Sequence, residues 1–306
     1  MTQIKTKTDT KTDTKAKAKA SEPIEGNGSQ CAPGKTEHDF TCYTSEALFK
    51  MRNLWNARHP DDTIDSKDPK AIWEGLKRKL VSVCDSEMCW MNQNFMKNGL
   101  SEEMRYFTFA PKAPSSWKSN PKTWLTSTDI AAVMKQFENT YPSFAFLGPS
   151  PIDYDHHYQD GTCVWQDICE FDLASMLRKG KTKIGMVFNL DKHNQSGSHW
   201  VAKFVDIPKG YVMYIDSTGE NIPGQLKKLQ KKIVQQGAAM SPSIKLKEIV
   251  NRKEHQMQNT ECGIYTLFFI SGLLRGSLNP EVIQSKRFTD KDMLSLRQEF
   301  FNLPGN

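Results

Sequence analysis

The chain has 306 residues, 38% hydrophobic and 25% charged, enough apolar material for the core of one large domain or two modest ones. Its longest apolar run, residues 263–274, ends at Arg275 and falls short of the about 20 residues a membrane span needs, so no spanning helix is expected. The net charge is +6, but six lysines and two aspartates within residues 1–20 supply +4 of it, which puts most of the basic character in a tail and leaves the rest nearly neutral.

Residues 1–38 begin with Lys-Thr-Asp-Thr and Lys-Ala repeats and continue into a Pro/Gly/Ser stretch. Such composition cannot build a packed core and predicts a disordered tail. It has no apolar segment of the signal-peptide kind, so secretion is not expected. Its first twenty residues offer a weak electrostatic contact to nucleic acid. Seven cysteines, an odd number spread along a chain without a signal, favour a reducing compartment and argue against a disulfide framework.

Residues 39–118 read as a mainly helical arm. Tyr43, Leu48, Met51, Leu54 and Trp55 recur at helical spacing, and Ile72, Trp73, Leu76, Leu80 and Val83 do so again over 71–83. The segment 110–121, with prolines at 111, 114 and 121, reads as a connector. Residues 119–306 form a second unit. A helix is predicted over 123–140, then a short apolar stretch, Phe144–Leu147, closed by Gly-Pro, and one helix over 167–178. Strand-like runs follow at 184–190, 199–207 and 211–215, the last two joined by Pro208-Lys209-Gly210 as in a hairpin. A Lys-rich amphipathic helix over 223–236, a strand over 244–250, a buried helix over 262–274 and a closing helix over 289–301 complete the chain. The natural architecture is α+β, a central mixed or antiparallel sheet flanked by helices.

Three segments carry chemistry. Gly197-Ser198-His199-Trp200 heads one strand, Asp216-Ser217-Thr218-Gly219 ends the next, and Gln256-Met257-Gln258-Asn259-Thr260-Glu261-Cys262-Gly263 opens the most apolar helix. In an antiparallel pair the start of one strand lies beside the end of the next, so His199 and Asp216 are expected at one sheet end, the acid orienting the imidazole. Cys262 sits at a helix N-terminus, where orphan N–H groups and the helix dipole suit an anionic sulfur. Gly263 is expected to leave room for substrate backbone. Nucleophile, base and orienter are thereby present in one pattern. Gln256 is the candidate oxyanion donor, with Gln258 as the alternative if the loop register differs.

The ordered set His-Trp, Asp seventeen residues after the His, then Gln-x5-Cys-Gly resembles the cysteine proteases that process SUMO and related ubiquitin-like proteins. That superfamily includes the adenovirus maturation protease. Within it, Gly197–Asp206, Ser217–Gly224, Asn259–Gly263, Phe288–Met293 and, in the arm, Cys84–Cys89 resemble the polyprotein-processing proteases of African swine fever virus and other nucleocytoplasmic large DNA viruses. The resemblance implies a papain-like-clan core, with His199 as general base, Asp216 as its orienter, Cys262 as nucleophile and Gln256 at the oxyanion. Position 216 departs from the swine fever virus pattern, which has Asn, and matches the deconjugating enzymes. Trp200 and Trp124, the latter in a Trp-Leu helix start, match two indoles that close a slot over a Gly-Gly tail. Flat aromatic walls leave no room for a Cβ, so glycine is selected by exclusion.

The implied activity is endopeptidase cleavage after Gly-Gly-like sites in viral structural polyproteins or capsid precursors, in the virion or host cytoplasm. The alternatives are removal of SUMO or ubiquitin from conjugates and, more remotely, a silent binding module. No metal is expected. Cys84-x4-Cys89 and Cys163-x5-Cys169 fit zinc spacings poorly, and no downstream histidine pair completes them. Asp155-His156-His157 reads as an exposed loop. Without a phosphate-cradling Gly-rich loop, no nucleotide cofactor is implied.

Overall fold

The computed structural model describes residues 29–303. The arm contains α1 (Ser45–Arg58), α2 (Pro69–Leu80) and three short helices, α3 (Glu87–Trp90), α4 (Asn94–Lys97) and α5 (Glu102–Tyr106), followed by a 3-10 turn at Ser115–Lys118. After α6 (Ser127–Thr140) come β1 (Phe144–Pro151), α7 (Gln166–Cys169), α8 (Leu173–Arg178), β2 (Lys183–Asn189), β3 (Trp200–Asp206), β4 (Tyr211–Ile215), α9 (Gly224–Ala238), β5 (Lys247–Val250), α10 (Cys262–Arg275), α11 (Pro280–Ser285) and α12 (Asp290–Phe300). No helix among the described residues is long and apolar enough to cross a membrane.

The five strands form one mixed sheet in sequence order. The outer pairs, β1 with β2 and β4 with β5, are parallel, and the two inner pairings are antiparallel. Period-2 alternation sorts its side chains. Trp200, Ala202 and Phe204 of β3, with Tyr211, Met213 and Ile215 of β4, face a core shared with α6, α10 and α12. Val201 and Val205, with Val212 and Tyr214, face the opposite core under α8 and α9. Both faces are covered, so β3 is buried throughout.

Several boundaries differ from the sequence reading. The stretch expected to stop at Leu147 continues as β1 to Pro151, because the pairing shifts register between Leu147 and Ser150. Gly148, at φ 119°, permits the bend, since a Cβ there would stand 2.7 Å from the Val187 carbonyl oxygen. The single helix expected over 167–178 is two, because Asp172 caps α8 by accepting from the Ser175 N–H. The tail expected through residue 38 gains contacts earlier. Ala32 N–H donates to the Thr108 carbonyl, and buried Asn302 clasps Gln30 and Ala110 through its side chain. The remainder of that tail, including the basic stretch 1–20, lies outside the described residues. The connector belongs with the second unit sooner than residue 119, since Trp117 is in the core with Phe301.

The expectation of no disulfides is overturned. Cys31–Cys42, Cys84–Cys89 and Cys163–Cys169 are bonded, leaving Cys262 as the free cysteine. The odd count has a physical reason: six cysteines staple local loops, with separations of 11, 5 and 6 residues, and one is unpaired.

The arm has its own core, with Leu48, Met51, Ile72, Leu76 and Trp90 at its centre. Inside it lies Glu87, which accepts from Trp73 Nε1 and from Thr41 Oγ1 at 3.0 Å. Burial pushes its carboxyl up to about 7, against the opposing pull of those donors. A carboxyl raised in the folded state contributes stability that is complete below its unfolded value near 4.5 and is lost as pH rises through 7. Glu87→Gln should therefore raise the melting temperature at pH 8 by a few degrees and flatten the profile between pH 5 and 8. A variant that melts below wild type at pH 8 would contradict this.

Candidate active site

Antiparallel pairing of Ala202 with Ile215 sets the end of β4 beside the start of β3. His199 stands just ahead of β3, its carbonyl accepting from the Leu190 N–H at 2.9 Å. Asp216 stands just after β4. The imidazole Nε2 and Asp216 Oδ1 are 2.8 Å apart, the juxtaposition that antiparallel pairing predicts. Asp216 is 1% exposed and also accepts from Thr218 N–H at 2.9 Å and Thr218 Oγ1 at 2.8 Å. Burial pushes the Asp216 carboxyl up, but the bonds from His199 and Thr218 outweigh it and hold it below the usual range. Burial alone would lower the His199 pKa. Asp216, with the neighbouring Cys262 sulfur, reverses that and raises it to about 9. With Nε2 taken by Asp216, Nδ1 is the ring nitrogen left for the thiol.

Cys262 is the first residue of α10 and is 2% exposed. The helix runs against β3, so burial of the apolar segment 264–274 fixes where the thiol emerges. Gly263 serves differently from the expectation. A Cβ there would stand 3.0 Å from Leu125 Cβ, so the glycine admits the chain segment that enters α6, not substrate. Gln256 is buried beside the acid. Its N–H donates to the Ser217 carbonyl at 2.8 Å, its Oε1 accepts from Ser217 Oγ at 2.7 Å, and its Nε2 donates to the Gln258 carbonyl. The amide is thereby oriented, with a second N–H on Nε2 still available. Gln258 is exposed and enters this network through its main chain.

Trp200 and Trp124 line one cleft of about 600 Å3. Trp200 is 8% exposed and donates its indole N–H to the Leu125 carbonyl at 3.0 Å, whereas Trp124 is 37% exposed. Pro149 and Pro151 of β1 and Tyr158, Val164 and Trp165 of the following loop complete the walls. The cleft adjoins the catalytic candidates through the chain itself, because Trp200 follows His199 and Leu125 packs on Gly263.

Two supporting groups escaped the sequence reading. Buried Asn251 donates its Nδ2 to the Asp216 carbonyl at 2.9 Å. Arg297 of α12 makes a paired contact with Glu261, Nε to Oε2 at 2.8 Å and Nη2 to Oε1 at 2.9 Å, both side chains almost wholly buried. Its Nη1 donates to the Thr123 carbonyl at 2.9 Å, and the guanidinium lies 4.4 Å from the centre of the Trp117 ring. One side chain thus ties the residue before the nucleophile to the residue before Trp124. A signal was available: Arg297 falls on the apolar stripe of its helix, four residues after Met293 and three before Phe300.

Residues 179–303, which include His199, Asp216, Gln256 and Cys262, match the model of the Ulp1 protease family, C-terminal catalytic domain. This part of the chain resembles a Ulp1-type cysteine protease domain. A protein of Acanthamoeba polyphaga mimivirus assigned as a thiol protease is 29% identical over 291 residues, covering 89% of this chain and 92% of the relative. The SUMO-1 cysteine protease of African swine fever virus is 27% identical over 258 residues, covering 79% of this chain and 92% of the relative. The crystal structure of the African swine fever virus protease has the same fold, with a TM-score of 0.65 at 22% identity, over 92% of this chain and 98% of that one. Because it covers 92% of this chain, that likeness in fold is not confined to residues 179–303.

Proposed function

We propose that this protein is a cysteine endopeptidase that cuts after Gly-Gly-like sites in viral structural polyproteins or capsid precursors, acting in the virion or host cytoplasm. The reading rests above all on one observation: the imidazole of His199 is held 2.8 Å from the buried Asp216 carboxylate, the base-and-orienter pair that a cysteine nucleophile needs. Cys262 sulfur attacks the scissile carbonyl carbon, and the oxyanion is met by the Cys262 N–H and the free N–H of Gln256. Imidazolium His199 then gives its proton to the departing amine as the C–N bond breaks, leaving a thioester. Water, deprotonated by His199, attacks the thioester carbon and releases the acid and the thiol. Trp124 and Trp200 select glycine by leaving no space for a side chain.

A second reading keeps the chemistry and takes a folded ubiquitin-like modifier as substrate, favoured by the name of the African swine fever virus relative. The deciding experiment compares wild type and Cys262→Ala on a peptide with an internal Gly-Gly-X bond and on a ubiquitin-like protein carrying a C-terminal fluorophore. Cys262-dependent cutting of the peptide alone supports the maturation protease. Turnover of the folded modifier alone supports the deconjugase. Trp124→Ala should raise KM for the Gly-Gly peptide and cut discrimination against a Gly-Ala peptide by roughly tenfold, about the worth of one pocket methyl. Unchanged discrimination would remove Trp124 from the slot.

A further inference from the structure

The hairpin that walls the cleft holds a second cluster of reactive side chains. His157 and Cys163 face each other across an antiparallel bridge, and the loop between them is closed by Tyr158 N–H to the Thr162 carbonyl at 2.8 Å. The pairing continues with Val164 N–H on the His156 carbonyl and, after a one-residue shift, Trp165 N–H on the Tyr154 carbonyl. Cys169 comes from the end of α7, anchored by its own N–H on the Trp165 carbonyl and by Lys232 Nζ on its carbonyl at 2.9 Å. His157 Nε2 lies 3.4 Å from Cys163 Sγ, and the ligand atoms of His157, Cys163 and Cys169 all fall within 4.8 Å of one another.

We propose that in the dithiol form of the Cys163–Cys169 pair these three side chains bind one zinc ion, with the disulfide as the metal-free, oxidised form of the same site. Two sulfurs and one imidazole are the donor set of thiophilic d10 ions. In a tetrahedral zinc site with Zn–S about 2.3 Å and Zn–N about 2.0 Å, nitrogen and sulfur ligands stand roughly 3.5 Å apart. The His157–Cys163 spacing already meets that value. The two cysteine Cα atoms, 6.3 Å apart, need not separate for the sulfurs to part around an ion. A thiol or phosphine reductant supplies the two electrons, and two protons complete the dithiol. Both thiols then lose a proton as Zn2+ binds, leaving the fourth position to water. Spacing in the sequence hid the site because its histidine precedes the cysteines and only the hairpin brings it back.

Closing the site ties the hairpin to α7. Tyr158, Val164 and Trp165 of this segment line the cleft, so metal binding would stiffen one wall of it without touching the catalytic candidates. The test uses the full chain with Cys262→Ser, which removes the cysteine that forms no disulfide, reduced with a phosphine and equilibrated with Zn2+ or with Co2+ as a spectroscopic probe. The expected result is one zinc per chain, a thiolate-to-cobalt charge-transfer band, and a higher melting temperature with zinc. Cys163→Ser should abolish the band. His157→Ala, a change at an exposed residue that leaves the core intact, should weaken zinc binding by at least about tenfold, as even loss of an outer-shell partner does at metal sites. Paired replacement by serine of Cys84 and Cys89, or of Cys31 and Cys42, should leave the zinc stoichiometry and the cobalt band unchanged. Reduced protein that takes up no zinc, or takes it up equally with His157→Ala and Cys163→Ser, would overturn the proposal.

Discussion

Cys262→Ala should abolish hydrolysis, by at least ~10^4-fold in kcat/KM, while the protein melts as wild type does. The thiol sits at the start of a buried helix where alanine fits without new strain, so a catalytic loss with intact folding separates chemistry from structure. His199→Ala should cost as much, because the ring serves both proton transfers and loss of either member disables the unit. Asp216→Asn is the informative variant. Asn keeps an oxygen that can accept from His199 and Thr218, but it removes the charge that helps hold the imidazolium. The His199 pKa, raised to about 9 in the folded protein, should fall toward its ordinary value of 6.5, and the alkaline limb of the pH–rate profile should move down with it. The same shift has a stability consequence. His199 contributes stability that is complete below pH 6.5 and is lost as pH rises through 9, so wild type should lose melting temperature over that interval and Asp216→Asn should lose less. Identical pH–rate profiles for wild type and Asp216→Asn would show that the carboxylate does not govern the imidazole.

Arg297→Met should be the most destabilising single change near the site. It leaves Glu261 2% exposed with its paired donors gone, and an uncompensated buried carboxylate costs ~3–5 kcal/mol. For a domain of this size that is a drop of roughly 6–12 °C in Tm. The double variant Arg297→Met with Glu261→Gln should recover much of the loss, because replacing both partners removes the orphaned charge. Kinetics should report the second role of the pair. Arg297 also holds the Thr123 carbonyl, so the Trp124 segment loses an anchor, and KM should rise more than kcat falls. A double variant no more stable than Arg297→Met would show that the penalty comes from lost packing on Trp117 instead.

The catalytic candidates were legible because each follows from a local rule. Period-2 runs around 199–207 and 211–215, with three residues between them, dictate an antiparallel pair, and that pair alone sets His199 beside Asp216. The apolar run after Cys262 dictates a buried helix and therefore a thiol at its N-terminus. The boundaries that went astray depend on interactions between segments distant in sequence. The extension of β1 past Gly148 needs β2 as its partner, and the order of residues 29–38 needs Phe109, Ala110 and Asn302. The function of Gly263 was misjudged because its neighbour, Leu125, lies 138 positions away in the chain.

By itself the sequence determined the α+β class, the strand pair that joins base and acid, and the helix that presents the thiol, because hydrophobic period and turn length act within a few residues. Only the tertiary structure decided which cysteines pair, which indole is buried and which lines the open side of the cleft, and what holds the nucleophile's neighbour in place. These depend on distances between parts of the chain that no local pattern encodes. Arg297 reaches Glu261 across 36 residues and Thr123 across 174, and His157 meets Cys163 only through the hairpin between them.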